Sequence, residues 1–220
     1  MGRNLNIITK LHTKTKREYL PRMIDDKVAC MEVARRYDKD FWDGDRRYGY
    51  GGYQYDGRWK VVAEDLIKFY KLPDNAKILD VGCGMAHLLF ELNKLLPESN
   101  IIGFDISQYA IENAKEEIKD HLFCFNAKDP YPFGDNYFDL VFSLTTFHNL
   151  HIYELKEALK EIERVGKNKY IVVESYRNPH ELFNLQCWAL TCESFYKTQE
   201  WIWLFHEYGY SGDYEFIYFE

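Results

Sequence analysis

Between residues 77 and 174 short apolar runs alternate with longer amphipathic stretches, a pattern that predicts strands alternating with helices. Lys77 to Val81 reads as a strand that breaks at Gly82-Cys83-Gly84. Leu88, Leu89, Leu92, Leu95 and Leu96 then recur at helical spacing until Pro97 closes the helix. Asn100 to Phe104 is a second strand ending at Asp105, and Ser107 is placed to cap a helix carrying Tyr109, Ala110, Ile111, Ala114 and Ile118. Leu122 to Phe125, Phe138 to Ser143 and Lys169 to Glu174 are three further strands. A helix over Tyr153 to Val165, with Leu155, Leu159 and Ile162 on one face, precedes the last of them and ends at Gly166. The strand runs are almost continuously apolar, as strands covered on both faces must be, so parallel pairing through right-handed crossovers is expected.

Past residue 180 the spacing predicts a helix over Leu182 to Trp188, a strand over Ala189 to Phe195, a helix after Thr198 and a closing strand from Asp213 to Phe219. The expected fold is α/β: a Rossmann-like doubly wound sheet of about seven strands, mostly parallel, with an antiparallel C-terminal strand. Before the first strand, Asp25 to Tyr37 and Trp59 to Tyr70 read as helices. Between them residues 41–59 hold seven aromatics and five glycines, too many glycines for a helix and too many aromatics for a solvated linker. Residues 1–59 are therefore read as an extension and aromatic-glycine cap or lid, and residues 60–220 as the main domain.

Composition narrows the partners. The 220 residues carry a formal net charge of −7, which disfavours an extended nucleic-acid surface. The five cysteines form no CxxC pair, which argues against a disulfide framework or structural zinc and for a reducing, cytoplasmic setting. Cys124 lies in an apolar run and is expected in the core. No run of 18 apolar residues predicts a membrane span, no apolar leader predicts secretion, and Asn6 stands where N-myristoylation needs Ser or Thr. No His, Asp and Glu cluster has metal-ligand spacing, so no metal is expected.

Ile78-Leu79-Asp80-Val81-Gly82-Cys83-Gly84 resembles the first motif of class I S-adenosylmethionine (SAM)-dependent methyltransferases. Ile102-Gly103-Phe104-Asp105-Ile106-Ser107 resembles their second motif. Asn126-Ala127, Pro132-Phe133 and Asn136 to Val141 resemble the third motif and fourth strand, with Pro130 as an extra residue. The resemblance implies SAM as cofactor and S-adenosylhomocysteine as product. It assigns the methionine end to Asp80, Gly82, Cys83 and Gly84, the ribose to Asp105 beside Ile106, and the adenine to Asn126 and Ala127, where the family commonly has an acid in place of Asn126. Chemistry agrees: glycines let the backbone turn tightly against a ligand, and a carboxylate ending the second strand can accept both ribose hydroxyls. Arg58, as a fork for the cofactor carboxylate, and Ser143 complete the expected cofactor set. A nicotinamide site would want a third glycine where His87 stands.

Methyl transfer requires an oriented acceptor and, where needed, a base. His148 after the fourth strand is the first candidate, ahead of His151; Glu174 after the fifth strand and Tyr55 in the lid segment are the others. Arg46 and Arg47 would suit a phosphate on the substrate. The expected function is methyl transfer to a small polar acceptor such as a sugar, sugar nucleotide, amine or acid. A protein or peptide methyltransferase and a SAM-binding regulatory protein without turnover are the other readings. Trp201, Trp203 and Tyr210, read as exposed, hint at a homodimer.

Overall fold

In a computed structural model, which describes residues 2–13 and 15–220, the expected alternation builds one six-stranded sheet. Four short helices come first: α1 (Thr9–His12), α2 (Tyr19–Ile24), α3 (Lys27–Ala34) and α4 (Lys39–Trp42). Helix α5 (Lys60–Tyr70) leads into β1 (Lys77–Val81), α6 (His87–Leu95) and β2 (Asn100–Asp105). Helices α7 (Gln108–Glu112) and α8 (Glu116–Lys119), β3 (Leu122–Cys124) and β4 (Phe138–Leu144) follow. Then come α9 (Ile152–Val165), β5 (Gly166–Glu174), α10 (Pro179–Trp188), α11 (Thr198–Glu207) and β6 (Asp213–Ile217). The strand order is β3-β2-β1-β4-β5-β6 and all five pairings are parallel.

Alternate residues of each strand feed two cores. Ile78, Ile101, Leu140 and Val172 pack with α5, α6, α8 and α10 on one face, and Leu79, Phe104, Val141 and Val173 pack with α9 and α11 on the other. Strand order reverses between β1 and β4, and the crevice beyond their C-terminal ends is where such sheets bind ligands.

Four expectations are corrected. Residues 189–195 form no strand; the Glu193 and Ser194 N–H groups donate to the His148 carbonyl at 2.9 Å, folding this stretch under the β4 loop. Strand β6 is parallel to β5, because α10 and α11 together return the chain across the sheet before it begins. Cys124 is exposed, since β3 is a short edge strand. Trp201 and Tyr210 are buried and only Trp203 is exposed, so the three aromatics make no common patch.

The edge of β6 receives the N-terminal residues instead of a seventh strand. Tyr214 N–H donates to Arg3 O at 3.0 Å and Leu5 N–H to Tyr214 O at 2.8 Å. Buried Glu215 accepts from the N–H groups of Ile7 (2.7 Å), Ile8 (3.2 Å) and Thr9 (2.6 Å), from the Thr9 hydroxyl and from the Tyr170 hydroxyl. A carboxylate that closes the start of α1 in this way fastens the cap to the sheet. Glu215→Leu leaves those donors unpaired and is expected to cost about 3 kcal/mol or more. Urea denaturation would show a lower midpoint, and limited trypsin digestion would cut earlier at Lys10 and Lys16.

Candidate cofactor and acceptor site

The glycine loop after β1 is tied to the end of β2. Gly82 and Cys83 N–H donate to Phe104 O at 2.8 and 3.0 Å, and Gly84 N–H donates to Asp105 Oδ2 at 2.8 Å. Gly82 (φ +80°) and Gly84 (φ +55°) take left-handed backbone. A Cβ on Gly82 would lie 2.2 Å from Thr146 Oγ1, and one on Gly84 would lie 2.7 Å from the Trp42 ring. Both positions therefore need glycine on conformational and steric grounds.

A cavity of about 480 Å³ opens above this loop, within the size range of small-molecule sites. Asp80, Gly82, Cys83 and Gly84 form one wall, His148 and Glu174 another, and Trp42, Tyr50, Tyr53 and Arg58 of the cap cover it. The Asp80 carboxyl makes no hydrogen bond to any described residue, and burial, then the nearby Asp105, push it well above the usual carboxylate range. This wall fits the amino-acid end of SAM in chemistry: a buried acid without a hydrogen-bond partner suits a cation, and glycines leave no Cβ in the way.

The flank of the cavity beside Asp105 is closed. Asp105 accepts from Gly84 N–H and, at 2.8 Å, from Ser107 N–H; burial raises its carboxyl against the pull of these bonds. The Trp42 indole spans the same two residues, its ring against Gly84 and its Nε1–H donating to Ser107 Oγ at 2.8 Å and Tyr37 O at 3.2 Å. Asp105, Ile106, Asn126 and Ala127 thus lie outside the cavity wall. Ile106 is exposed, and Asn126 Oδ1 accepts from Lys128 N–H at 3.2 Å.

Other expected site residues are placed differently. The Ser143 hydroxyl is buried and donates to Val81 O at 2.8 Å, joining β4 to β1 away from the cavity. Arg58 reaches the cavity rim but is ion-paired with Asp56 at 2.5 Å. The Tyr55 ring packs on His87 and Phe90 and its hydroxyl donates to Glu91, outside the cavity. His151 is exposed near Glu193. Arg47 pairs with Asp25 at 2.8 Å, whereas Arg46 lines the cavity.

His148 and Glu174 face each other, Nε2 to Oε2, at 3.5 Å. The Glu174 N–H donates to His148 Nδ1 at 3.2 Å, so the ring proton of the neutral imidazole sits on Nε2. Burial holds the ring neutral, pushing it down to about 3. Burial pushes the Glu174 carboxyl up to about 7, opposed by the charge of Arg17. Arg17, Arg22 and Trp188 also line the cavity, and sequence reasoning did not connect them to it. Helix α10 carries Trp188 far along the chain from the two arginines, so no local spacing brings them together.

The parallel sheet, its switch point and the glycine loop define a nucleotide-cofactor-binding α/β domain. A family model described as a methyltransferase domain matches residues 72–209. An uncharacterized methyltransferase of Schizosaccharomyces pombe is 32% identical over 113 residues, 46% of this chain and 39% of that protein. A carboxy-S-adenosyl-L-methionine synthase of Campylobacter curvus is 37% identical over 81 residues, 37% of this chain and 32% of that protein. The chain spans between about a third and a half of the length of the curated relatives it matches. A SAM-dependent methyltransferase structure from Aquifex aeolicus shares the fold at a TM-score of 0.50 and 19% identity, over 84% of this chain and 88% of that one. The chain belongs to the methyltransferase-domain family, with the class I SAM-dependent architecture, and membership implies SAM as its cofactor. No helix among the described residues is long and apolar enough to cross a membrane.

Proposed function

We propose that this chain transfers a methyl group from SAM to a small polar acceptor, a sugar, sugar nucleotide, amine or acid, with Glu174 taking the acceptor's proton. The observation that carries the reading is that one cavity holds both the glycine-loop wall and Glu174. Bound SAM supplies a methyl group activated by its sulfonium. Asp80 pairs with the α-ammonium, and that partner draws its carboxyl back toward the ionised form. Asp105 is the group for the ribose diol. The Trp42 indole must leave Gly84 and Ser107 for the diol to reach it, which makes residues 41–59 a lid.

Glu174 is preferred to His148 as the base. The His148 Nδ1 lone pair is taken by a backbone N–H, and its Nε2 already carries a proton. A carboxyl poised near 7 is half ionised at neutral pH and can both accept and release a proton. His148 then acts as a positioning residue, its Nε2–H facing the carboxylate. Tyr55, whose hydroxyl serves Glu91, receives no catalytic part. A cap laid over the cavity favours a small acceptor over a protein chain. Five free cysteines suit a reducing cytoplasm.

Isothermal titration with SAM and with S-adenosylhomocysteine tests the reading. Saturable binding of both is expected. Absence of heat from either ligand, on protein that still melts cooperatively, would remove it.

A further inference from the structure

We propose that the acceptor carries a phosphoryl group, and that Arg17, Arg22 and Arg46 bind it over the indole of Trp188. This rests on the methyl-transfer reading of the same cavity and names the substrate class it takes.

The three guanidiniums come from separate stretches of the cap yet converge on one ring. Their Cζ atoms lie 5.3 Å (Arg17), 4.5 Å (Arg22) and 5.0 Å (Arg46) from the Trp188 ring centroid. All three side chains and Trp188 line the cavity that contains Glu174. Among the described residues none of the three pairs with a carboxylate, whereas Arg3, Arg35, Arg47, Arg58, Arg164 and Arg177 each do. The remaining arginine, Arg36, lies on the exposed surface. In a chain of formal net charge −7, with acids in excess, three neighbouring cations without a paired carboxylate form a local exception.

Neutral groups hold the cluster. Arg17 donates to the carbonyls of His12 (3.2 Å) and Thr15 (3.0 Å) and to His12 Nδ1 (3.1 Å). Its buried Nε–H has no partner. Arg22 donates to Trp188 O at 2.9 Å and to Arg46 O at 3.0 Å, and Arg46 donates to Gly49 O. Carbonyls fix the direction of a guanidinium but do not cancel its charge. Lys27 adds a fourth cation on the backbone flanking Trp188, donating to Cys187 O (2.8 Å) and Ala189 O (2.5 Å).

Gathering like charges in a half-buried cavity costs free energy until an anion arrives. Burial lowers the affinity of Arg17, Arg22 and Arg46 for their protons, Arg22 down to about 10, and Arg46 adds to the effect on Arg22. One carboxylate fills a single guanidinium fork. The N–H groups that Arg22 and Arg46 leave free, with the charge of Arg17 beside them, match the several oxygens and higher charge of a phosphoryl group. Glu174 lines the same cavity, near enough for the charge of Arg17 to act on it, so an acceptor whose phosphate is held by the arginines shares one cavity with the proposed base.

The test uses the full chain saturated with S-adenosylhomocysteine and titrated with inorganic phosphate, inorganic pyrophosphate and malonate. Saturable binding of phosphate or pyrophosphate, at least about tenfold tighter than malonate, is expected. The tighter of the two separates a monophosphate from a diphosphate acceptor. Arg22→Gln and Arg46→Gln should each weaken that binding about tenfold or more, with S-adenosylhomocysteine affinity unchanged. Arg46 donates only to a neighbouring carbonyl, so its variant keeps the test open should Arg22→Gln fail to fold. Three results overturn the proposal: no phosphate or pyrophosphate binding at millimolar concentration, equal binding of malonate, or loss of S-adenosylhomocysteine affinity in the arginine variants. In each case binding of S-adenosylhomocysteine to the unaltered chain leaves the methyltransferase reading standing, and its absence sinks that reading separately.

Discussion

Replacing Glu174 by Gln is expected to lower kcat by about 10²–10⁴-fold while SAM affinity stays within a factor of two. The substitution keeps the shape and removes only the basic oxygen. Two features make the effect large. Glu174 sits in the cavity beside the glycine-loop wall, and burial holds its carboxyl near 7, where it changes protonation at working pH. The proposed base must be a carboxylate to take a proton, so kcat/KM of the unaltered enzyme should rise with pH through about 7 and then level off. The shift also sets a stability trend of opposite sense. The folded chain holds this proton more tightly than the unfolded chain, whose carboxyl titrates near 4.5. The stabilisation is complete below the unfolded value and is lost as pH rises through about 7. A kcat for Glu174→Gln equal to that of the unaltered enzyme, with a flat pH profile, would move the base elsewhere in the cavity.

Gly82→Ala should lose both stability and cofactor binding. The residue would have to keep a φ of +80° while its Cβ came 2.2 Å from Thr146 Oγ1 and 2.7 Å from Thr146 Cβ. Left-handed strain and overpacking together cost on the order of 2–5 kcal/mol, lowering Tm by about 5–15 °C for a chain of this size. SAM affinity should fall about tenfold or more, since a loop shift that withholds 1.4 kcal/mol of contact already does so. Gly134→Ala is the control, because an added Cβ there meets no atom within 4 Å. Its stability should stay within about 0.5 kcal/mol. Equal melting of the two variants would mean that Thr146 and the loop yield easily, and that the glycine is not sterically required.

The strands from β1 to β5 were legible because each buries apolar residues on both faces, and because breaks fall at glycine, proline or a capping hydroxyl. Ser107 illustrates the local logic: its Oγ accepts from Ala110 N–H at 3.1 Å, as a cap should. The C-terminal region misled for a related reason. The stretch from Ala189 to Phe195 reads as a strand, but the Glu193 and Ser194 N–H groups go to the His148 carbonyl rather than to a neighbouring strand. Strand direction at β6 was equally hidden, since sequence gives helix lengths but not where two successive helices set the chain down.

At the site the division is the same. Asp80, Gly82, Cys83 and Gly84 are contiguous, and a backbone that must turn left-handed writes itself as glycine; these residues do line the cavity. Tyr55 was expected there from its place in the aromatic-glycine segment and Ser143 from its place at the end of the fourth strand, and each has its hydroxyl spent elsewhere.

By itself the sequence determined the alternating sheet, the glycine loop and the family, because those are written in short-range periodicity and in backbone conformations that few residues tolerate. Only the tertiary structure decided which carboxyl burial holds near 7 and which cations lie without a paired carboxylate. Burial, hydrogen-bond partnership and charge proximity arise between segments far apart in the chain: Glu174 with His148, and Arg17, Arg22 and Arg46 with Trp188.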